Sequence, residues 1–347
     1  MDRKIPIANI YYLLCYAWSH VEERDVVRLE ELDGLERVHD LLGKVVAEGT
    51  FRLIRRGIDR GYREVREDLA GIRGKIAVGE TATRSLRARG RVTCDFEELS
   101  YDVLHNRILR STLRSLLRVQ DLNSEVRGEI RNAFTKLDGV SVVRLNRRLF
   151  QQVQLDRNRR YYRFLLSVCR LIYEQLLVDE QSGEARFTDF SEDRMEKLYE
   201  DFIIEFYRRE QKAYRVNHRG RRIDWVSEGT PEHHHSKIPE MEADVILEGP
   251  DRRIIMDAKY YREALRSRFG GKPKLQSDHL YQLLAYLRNR EANESSGPRH
   301  EGILLYPVVD VQVTVDVRLE GYSIRARSID LARDWRQVHA DMLAVIA

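Results

Sequence analysis

The chain has 347 residues, with 60 Lys and Arg against 56 Asp and Glu, a net charge of +4. At 42% hydrophobic and 33% charged residues it is too apolar for a disordered chain and too charged for a membrane protein. Its longest unbroken apolar run, Ile10 to Trp18, is about half the ~20 residues a membrane span needs.

From the start, Asn9 is placed to cap a helix carrying Ile10, Leu13, Leu14, Ala17 and Trp18. Tyr11, Tyr12, Tyr16 and Trp18 read as core packing of that helix. A second helix runs from about Leu35 to Ile58 and closes on Arg55-Arg56-Gly57. Between Gly61 and Ser100, Gly71, Gly74, Gly79 and Gly90 punctuate short segments such as 75–78 and 91–94, which read as strands and hairpins. This region carries Arg84, Arg87, Arg89 and Arg91, either a solvated basic face or a contact for a partner or DNA. Helical stripes return with Leu104, Ile108, Leu109, Leu113, Leu116 and Leu117, and again over about 159–177.

The texture then becomes α/β. Met195, Leu198, Tyr199, Phe202, Ile203 and Phe206 mark an amphipathic helix. A polar stretch, 217–237, contains His233-His234-His235. Three adjacent histidines cannot all face one ion from a regular element, so a loop is expected rather than a metal site. Two strands follow, Met241–Leu247 and Arg253–Lys259, joined through Gly249-Pro250. Next come a helix from about Ser277 to Arg290, a strand at Ile303–Val309, an alternating strand through Val311, Val313, Val315 and Val317, and a last helix with Leu331, Trp335, Val338 and Met342. The expected organisation is a mixed α+β domain, residues 1–155, and an α/β domain, residues 156–347.

The chemistry concentrates at Asp244, Asp257 and Lys259. Side chains two apart on a strand share a face, so Asp257 and Lys259 point together, with Ile254, Met256 and Ala258 opposite. Asp244 lies on the preceding strand, within reach across a hairpin-length connection. Two converging carboxylates repel unless a cation neutralises them, and hard oxygen ligands suit Mg2+. A lysine beside them orients an attacking water or stabilises charge on a phosphate. An exposed strand also carries Asp-x-Lys as a solvated ion-pair ladder. The flanking apolar residues favour the site, because an unpaired carboxylate among them is costly.

This order of helix, acidic strand, Asp-x-Lys strand and helix resembles the PD-(D/E)xK nuclease superfamily, although Ala243 stands where a literal proline would precede Asp244. Such nucleases often carry a metal-assisting glutamate on the preceding helix, here Glu200 or Glu205. Five residues turn a helix by about 500°, so at most one of them faces the site. Gln282, off the leucine stripe, is a candidate to contact Lys259 or DNA, or else edges the core. A closer resemblance, spread along the chain, is to the McrC family, the nuclease subunits of McrBC methylation-dependent restriction systems. It rests on Asn9–Trp18, Gly71–Lys75, Asn106–Leu113, Arg159–Phe164, Met256–Tyr261, Leu280–Tyr286 and Leu305-Tyr-Pro307.

The resemblance implies that Asp244, Asp257 and Lys259 are the catalytic set, with Asp244, Asp257 and the Ala258 carbonyl as Mg2+ ligands. It implies an N-terminal adaptor that docks on a McrB-type AAA+ GTPase ring and inserts a finger, which assigns Arg84, Arg87, Arg89 and Arg91 to that finger. The partner would bind GTP and recognise DNA carrying modified cytosine. This chain has no GxxxxGK[ST] of its own. Double-strand cutting would call for association of two McrC copies. Two competing readings are a non-catalytic activator of the ring and a stand-alone repair nuclease. Cys15, Cys94 and Cys169, scattered and odd in number, exclude a disulfide framework. With no signal peptide evident in the mixed-charge start, they lead to an expected cytoplasmic location.

Overall fold

The structure, a computed structural model, describes residues 5–18, 32, 35, 37–83, 86–156, 159–178, 185–187, 192–217, 222–227, 234, 237–260, 265–266, 274–294, 297–308 and 312–347. The chain divides into two compact units: residues 25–189, and residues 1–24 together with 190–347. The division therefore does not fall near residue 155, and the first helix, α1 (Ile7–Ala17), belongs with the C-terminal residues.

The 25–189 unit contains α2 (Val38–Arg56), β1 (Gly61–Leu69), β2 (Lys75–Ile76), α3 (Val78–Thr83), a 3-10 turn at Leu86–Arg89, β3 (Val92–Ser100), α4 (Leu104–Leu116), α5 (Ser124–Lys136), α6 (Arg147–Gln152), α7 (Arg160–Gln175), β4 (Leu176–Val178) and β5 (Ala185–Phe187). α2 stops where expected, at Gly57, whose φ of +94° a side chain would resist. The helices α2, α4, α5 and α7 form the core. α7 is tied in by two tyrosines: Tyr161 donates to the Gly49 carbonyl at 3.2 Å and Tyr162 to Asn106 Oδ1 at 2.9 Å. Asn106 in turn donates to the carbonyls of Asp59 and Tyr101, so this fully buried amide is satisfied on both ends. These bonds are why residues up to α7 stay with this unit.

β1 and β3 pair antiparallel over their whole length, from Gly61 opposite Ser100 to Leu69 opposite Val92, with β2 on the far side of β3. The arginines of this region are not strung along a strand. Val78 begins a helix instead of extending β2, Arg87 and Arg89 sit in the 3-10 turn, and Arg91 precedes β3 and donates to the Asp68 carbonyl. Arg84 lies outside the described residues. Arg66 bridges to its cross-strand neighbour Asp95 and to Glu80.

The second unit continues with α8 (Glu192–Glu210), β6 (Arg215–Val216), β7 (Arg222–Ile223), β8 (Met241–Glu242), β9 (Val245–Glu248), β10 (Arg252–Ala258), β11 (Leu265–Arg266), β12 (Lys274–Leu275), α9 (Ser277–Ala292), β13 (Arg299–Val308), β14 (Thr314–Leu319), β15 (Tyr322–Asp330) and α10 (Trp335–Val345). Six strands form one sheet, in the order β14-β15-β13-β10-β9-β6. Its centre, β10-β13-β15, is parallel and its margins are antiparallel. The mixed helices and sheets agree with the expected α+β and α/β classes. α9 covers one face, where Leu283, Tyr286 and Leu287 pack with Ile246, Ile255, Leu304 and Tyr306. Gly302 admits α9 closely: a Cβ there would stand 2.8 Å from Leu283.

On α1, Tyr12 stacks on Trp335 at 4.2 Å, and Tyr16 packs against Phe202, Phe206 and Trp335, which makes the expected aromatic core. Asn9 is not a cap. The helix begins at Ile7, and the buried Asn9 amide donates to the carbonyls of Leu331 and Arg333, both at 2.7 Å. β15 was not apparent beforehand, though Ile324 and Ala326 bury one face of it. Of the three histidines, His233 and His235 lie outside the described residues, and His234 is exposed.

A charge node braces the 25–189 unit. Asp102 accepts two bonds from Arg107, at 2.8 and 2.9 Å, and two from the amide and hydroxyl of Ser141, at 2.7 and 2.8 Å. Burial pushes its pKa up, but these donors outweigh burial and hold it at about 2. A depressed carboxylate contributes stability above its unfolded pKa and loses it as pH falls through the folded value. Asp102→Asn should therefore cost about 2 kcal/mol in urea unfolding at pH 7. The gap to wild type should narrow as pH falls below about 4.

Candidate active site

β10 carries a buried run of Ile, Ile and Met followed by an acid, Asp257, one residue before its end. Its register against β9 stops at Met256 opposite Val245, while on its other side it stays paired with β13 through Ala258 opposite Leu305. Beyond Val245 the ladder on the β9 side has no strand. The expected continuous strand 241–247 is broken there: β8 pairs with β7, and Ala243 and Asp244 lie in the gap. Asp244 fills the vacancy with its side chain, Oδ2 accepting from the Ala258 amide at 2.7 Å. On the opposite side the Lys259 amide donates to the Leu305 carbonyl at 2.9 Å. The end of β10 is thus held from both sides.

Asp257 follows Ile255 on the face covered by α9, and is 1% exposed. Lys259 Nζ stands 3.0 Å from its Oδ2, an ion-pair distance without the angles of a hydrogen bond, so this shielded oxygen has no well-directed donor. Burial pushes the Asp257 carboxyl up, and the charges of Asp244 and Glu196 add to burial, against Lys259. Burial opposes the Lys259 charge, but Asp257 and Asp244 outweigh it and raise the ammonium further.

The preceding helix supplies the rest. Glu200 is pushed up to about 7 by burial and by the neighbouring charges of Asp244, Glu196 and Asp201. Glu205 does not take part: it pairs with Arg208 at 2.9 Å and Arg209 at 3.8 Å on its own helix. Glu196 was missed from the sequence. Its signal was the spacing, since four residues before Glu200 is the same helix face. Gln282 donates to the Tyr286 hydroxyl at 2.6 Å, and Tyr286 lies close enough to Asp257 and Lys259 to feel their charges. Gln282 therefore bonds to Tyr286, which stands between it and Asp257 and Lys259 in charge contact.

Asp257 thus stands against Lys259 with Asp244 beside them, and the charges of Glu200 and Glu196 on α8 reach the same place. Among the described residues no three acids, histidines or cysteines already converge as a metal cage. The donors still suit a hard divalent cation, for they are all oxygens, and one is a buried oxygen of Asp257 whose nearest cation, Lys259, is not well directed toward it.

A family model described as McrBC 5-methylcytosine restriction system component matches residues 10–307. The chain belongs to the McrBC family. It is 33% identical over 343 residues to the Type IV methyl-directed restriction enzyme EcoKMcrBC of Escherichia coli K12, covering 98% of this chain and 97% of that one. It also matches a chain of a solved structure, "Refined half-complex from tetradecameric assembly of Thermococcus gammatolerans McrB AAA+ hexamers with bound McrC". That match has a TM-score of 0.62 at 18% identity and covers 99% of this chain and 76% of that one, a likeness of fold. The family match spans both units and includes the acidic cluster.

The cluster predicts a metal response that needs no substrate. Mg2+ at ten times its Kd should add about 1.4 kcal/mol of stability, a rise of about 3 °C in Tm. Asp257→Asn should abolish that rise while raising the Tm of the metal-free protein, because the amide keeps the shape without the buried charge. An undiminished Mg2+ response in this variant would place the ion elsewhere.

Proposed function

We propose that this chain is the DNA endonuclease subunit of a modification-dependent restriction complex, with a PD-(D/E)xK site built on Asp244, Asp257 and Lys259. The observation that carries the reading is the meeting of these three groups at the end of β10, within a chain of the McrBC family. Asp244, Asp257 and the Ala258 carbonyl would hold Mg2+, with Glu200 and Glu196 flanking them. Bound there, the ion would supply a Lewis acid for the phosphate and lower the pKa of water. Lys259 orients a water through its ammonium protons and offsets the charge that grows on the phosphoryl oxygens. The bonds on either side of β10 hold these groups in place before substrate arrives, which lowers the reorganisation cost of the step.

The 25–189 unit is, in this reading, the adaptor for a McrB-type AAA+ GTPase ring that binds GTP and selects DNA with modified cytosine. Its β1–β3 sheet supports the assignment of the finger. Tyr62 and Leu99 face each other across the strands, 75% and 50% exposed, and Ile72 and Val78 are exposed toward the other end of the hairpin. Exposed apolar groups of this kind mark interaction surfaces. Arg87, Arg89 and Arg91, with Arg84, would add contacts to acidic groups of the ring. Cutting both strands would bring two copies of this chain together on DNA.

Asp257→Ala should lower cleavage of methylated DNA at least about a hundredfold with GTP, Mg2+ and the ring protein present, while stimulation of the partner's GTPase survives. Retained cleavage would sink the catalytic assignment, and cleavage without GTP or partner would favour the stand-alone nuclease. For the finger, the double variant Arg87→Glu, Arg89→Glu should weaken GTPase stimulation several-fold with the fold intact by circular dichroism. Undiminished stimulation would remove these residues from the interface.

A further inference from the structure

The 25–189 unit holds a cavity of about 600 Å³ that none of the preceding argument uses. It is lined by Arg114, Arg118 and Arg144, with Tyr173 and a floor that includes Val143 and Leu145. No described carboxylate lines it, and among the described residues none of the three guanidinium groups has an ion-pair partner. The contrast with neighbouring arginines is clear. Arg110 pairs with Asp138, Arg107 with Asp102, and Arg37 with Asp121.

The backbone that presents these arginines is fixed. Arg114 lies on α4, and Arg118 follows in the turn beyond it. Arg127 clamps that turn by donating to the carbonyls of Leu117, Val119 and Gln120, while the Ala185 amide donates to the Arg118 carbonyl. The segment bearing Arg144 is tied to α4 where the Val143 amide donates to Ser111 Oγ at 2.9 Å. Three like charges thus line one concavity on a backbone fixed by bonds in which their guanidinium groups take no part. An anion in that space would meet positive charge from all three.

We infer that this cavity binds nucleic-acid phosphates. Guanidinium groups match phosphate oxygens in forked pairs and are weakly hydrated, which favours contact with a diffuse anion. The volume lies within the range of small-ligand sites, enough for one nucleotide with the Tyr173 ring and an apolar floor beside it. Arg147 and Arg148, exposed at the start of α6, continue the positive charge away from Arg144, as an extended backbone requires and a single small anion does not. The site goes beyond the nuclease reading and involves none of the acidic cluster, so its test is binding, not cleavage.

The experiment is fluorescence anisotropy of the purified full chain with unmodified 20-mers, single- and double-stranded, over a salt series. The triple variant Arg114→Ala, Arg118→Ala, Arg144→Ala should weaken binding about tenfold or more and reduce the slope of log K against log salt by about 2–3. The triple Lys variant, which keeps the charge, should retain most of the slope; it also serves if the Ala variant fails to fold. Which 20-mer loses more affinity identifies the strand form that the cavity takes. Binding is measured without divalent metal, so no cleavage enters the readout, which separates failure of this proposal from failure of the nuclease assignment. Unchanged affinity and slope in the triple Ala variant would overturn the proposal. So would displacement of the 20-mer by polyglutamate as effectively, per charge, as by DNA, since the cavity would then take an acidic polypeptide.

Discussion

The hydrogen bond from the Ala258 amide to the Asp244 carboxylate, 2.7 Å long, is the constraint on which the site rests. A sheet leaves no inner amide unpaired without cost, and β9 ends two residues too early to serve Ala258. Asp244 takes the place of the missing strand. That substitution brings a second carboxylate beside Asp257, where neither acid would otherwise choose to sit. Lys259 offsets part of the repulsion, and burial together with what remains of it raises Asp257 and Glu200. A structural requirement of β10 and a concentration of negative charge are therefore one feature. Moving Asp244 would both free an amide and dissolve the cluster.

The pattern Asp257-Ala258-Lys259 was legible because strand periodicity alone puts two polar side chains on one face of an apolar strand. The helix was only half legible. Five residues between Glu200 and Glu205 excluded a joint role, but the choice between them depended on Arg208 and Arg209, which claim Glu205. Glu196 followed from an i, i+4 relation to a residue already in view. Asp244 appeared as a strand residue because its apolar neighbours suggest an unbroken strand, and the break between β8 and β9 depends on which strands each of them pairs with. Asn9 shows the same limit. A cap is its usual role near a helix start, yet the partners that decide its role, Leu331 and Arg333, lie more than 320 residues away.

The boundary near residue 155 failed for a related reason. Composition along the chain changes gradually around that point, but domains are defined by packing. α7 carries the tyrosines that reach Gly49 and Asn106, whereas α1 gives its own tyrosines to Trp335 and Phe202. The chain consequently starts in one unit, builds the other over residues 25–189, and returns. A helix at the start of the chain and one at its end share a core, so the unit that carries the acidic cluster is complete only when both are present. Truncating α1 would expose Trp335 and leave the Leu331 and Arg333 carbonyls without their donor.

Electrostatics would set the order in which the proposed nuclease engages DNA. The near-neutral total of +4 hides two opposed local fields. The acids beside Lys259 disfavour a phosphodiester, and a divalent cation held among them would reverse that sign. The arginines around the cavity attract phosphate without any ion. Contact through the arginines is accordingly independent of metal, whereas approach of a phosphate to the acidic cluster waits for it. On the proposed reading, such a protein would retain nucleic acid by one set of charges and license chemistry by another, with metal governing the reaction at the cluster and salt governing residence on the strand.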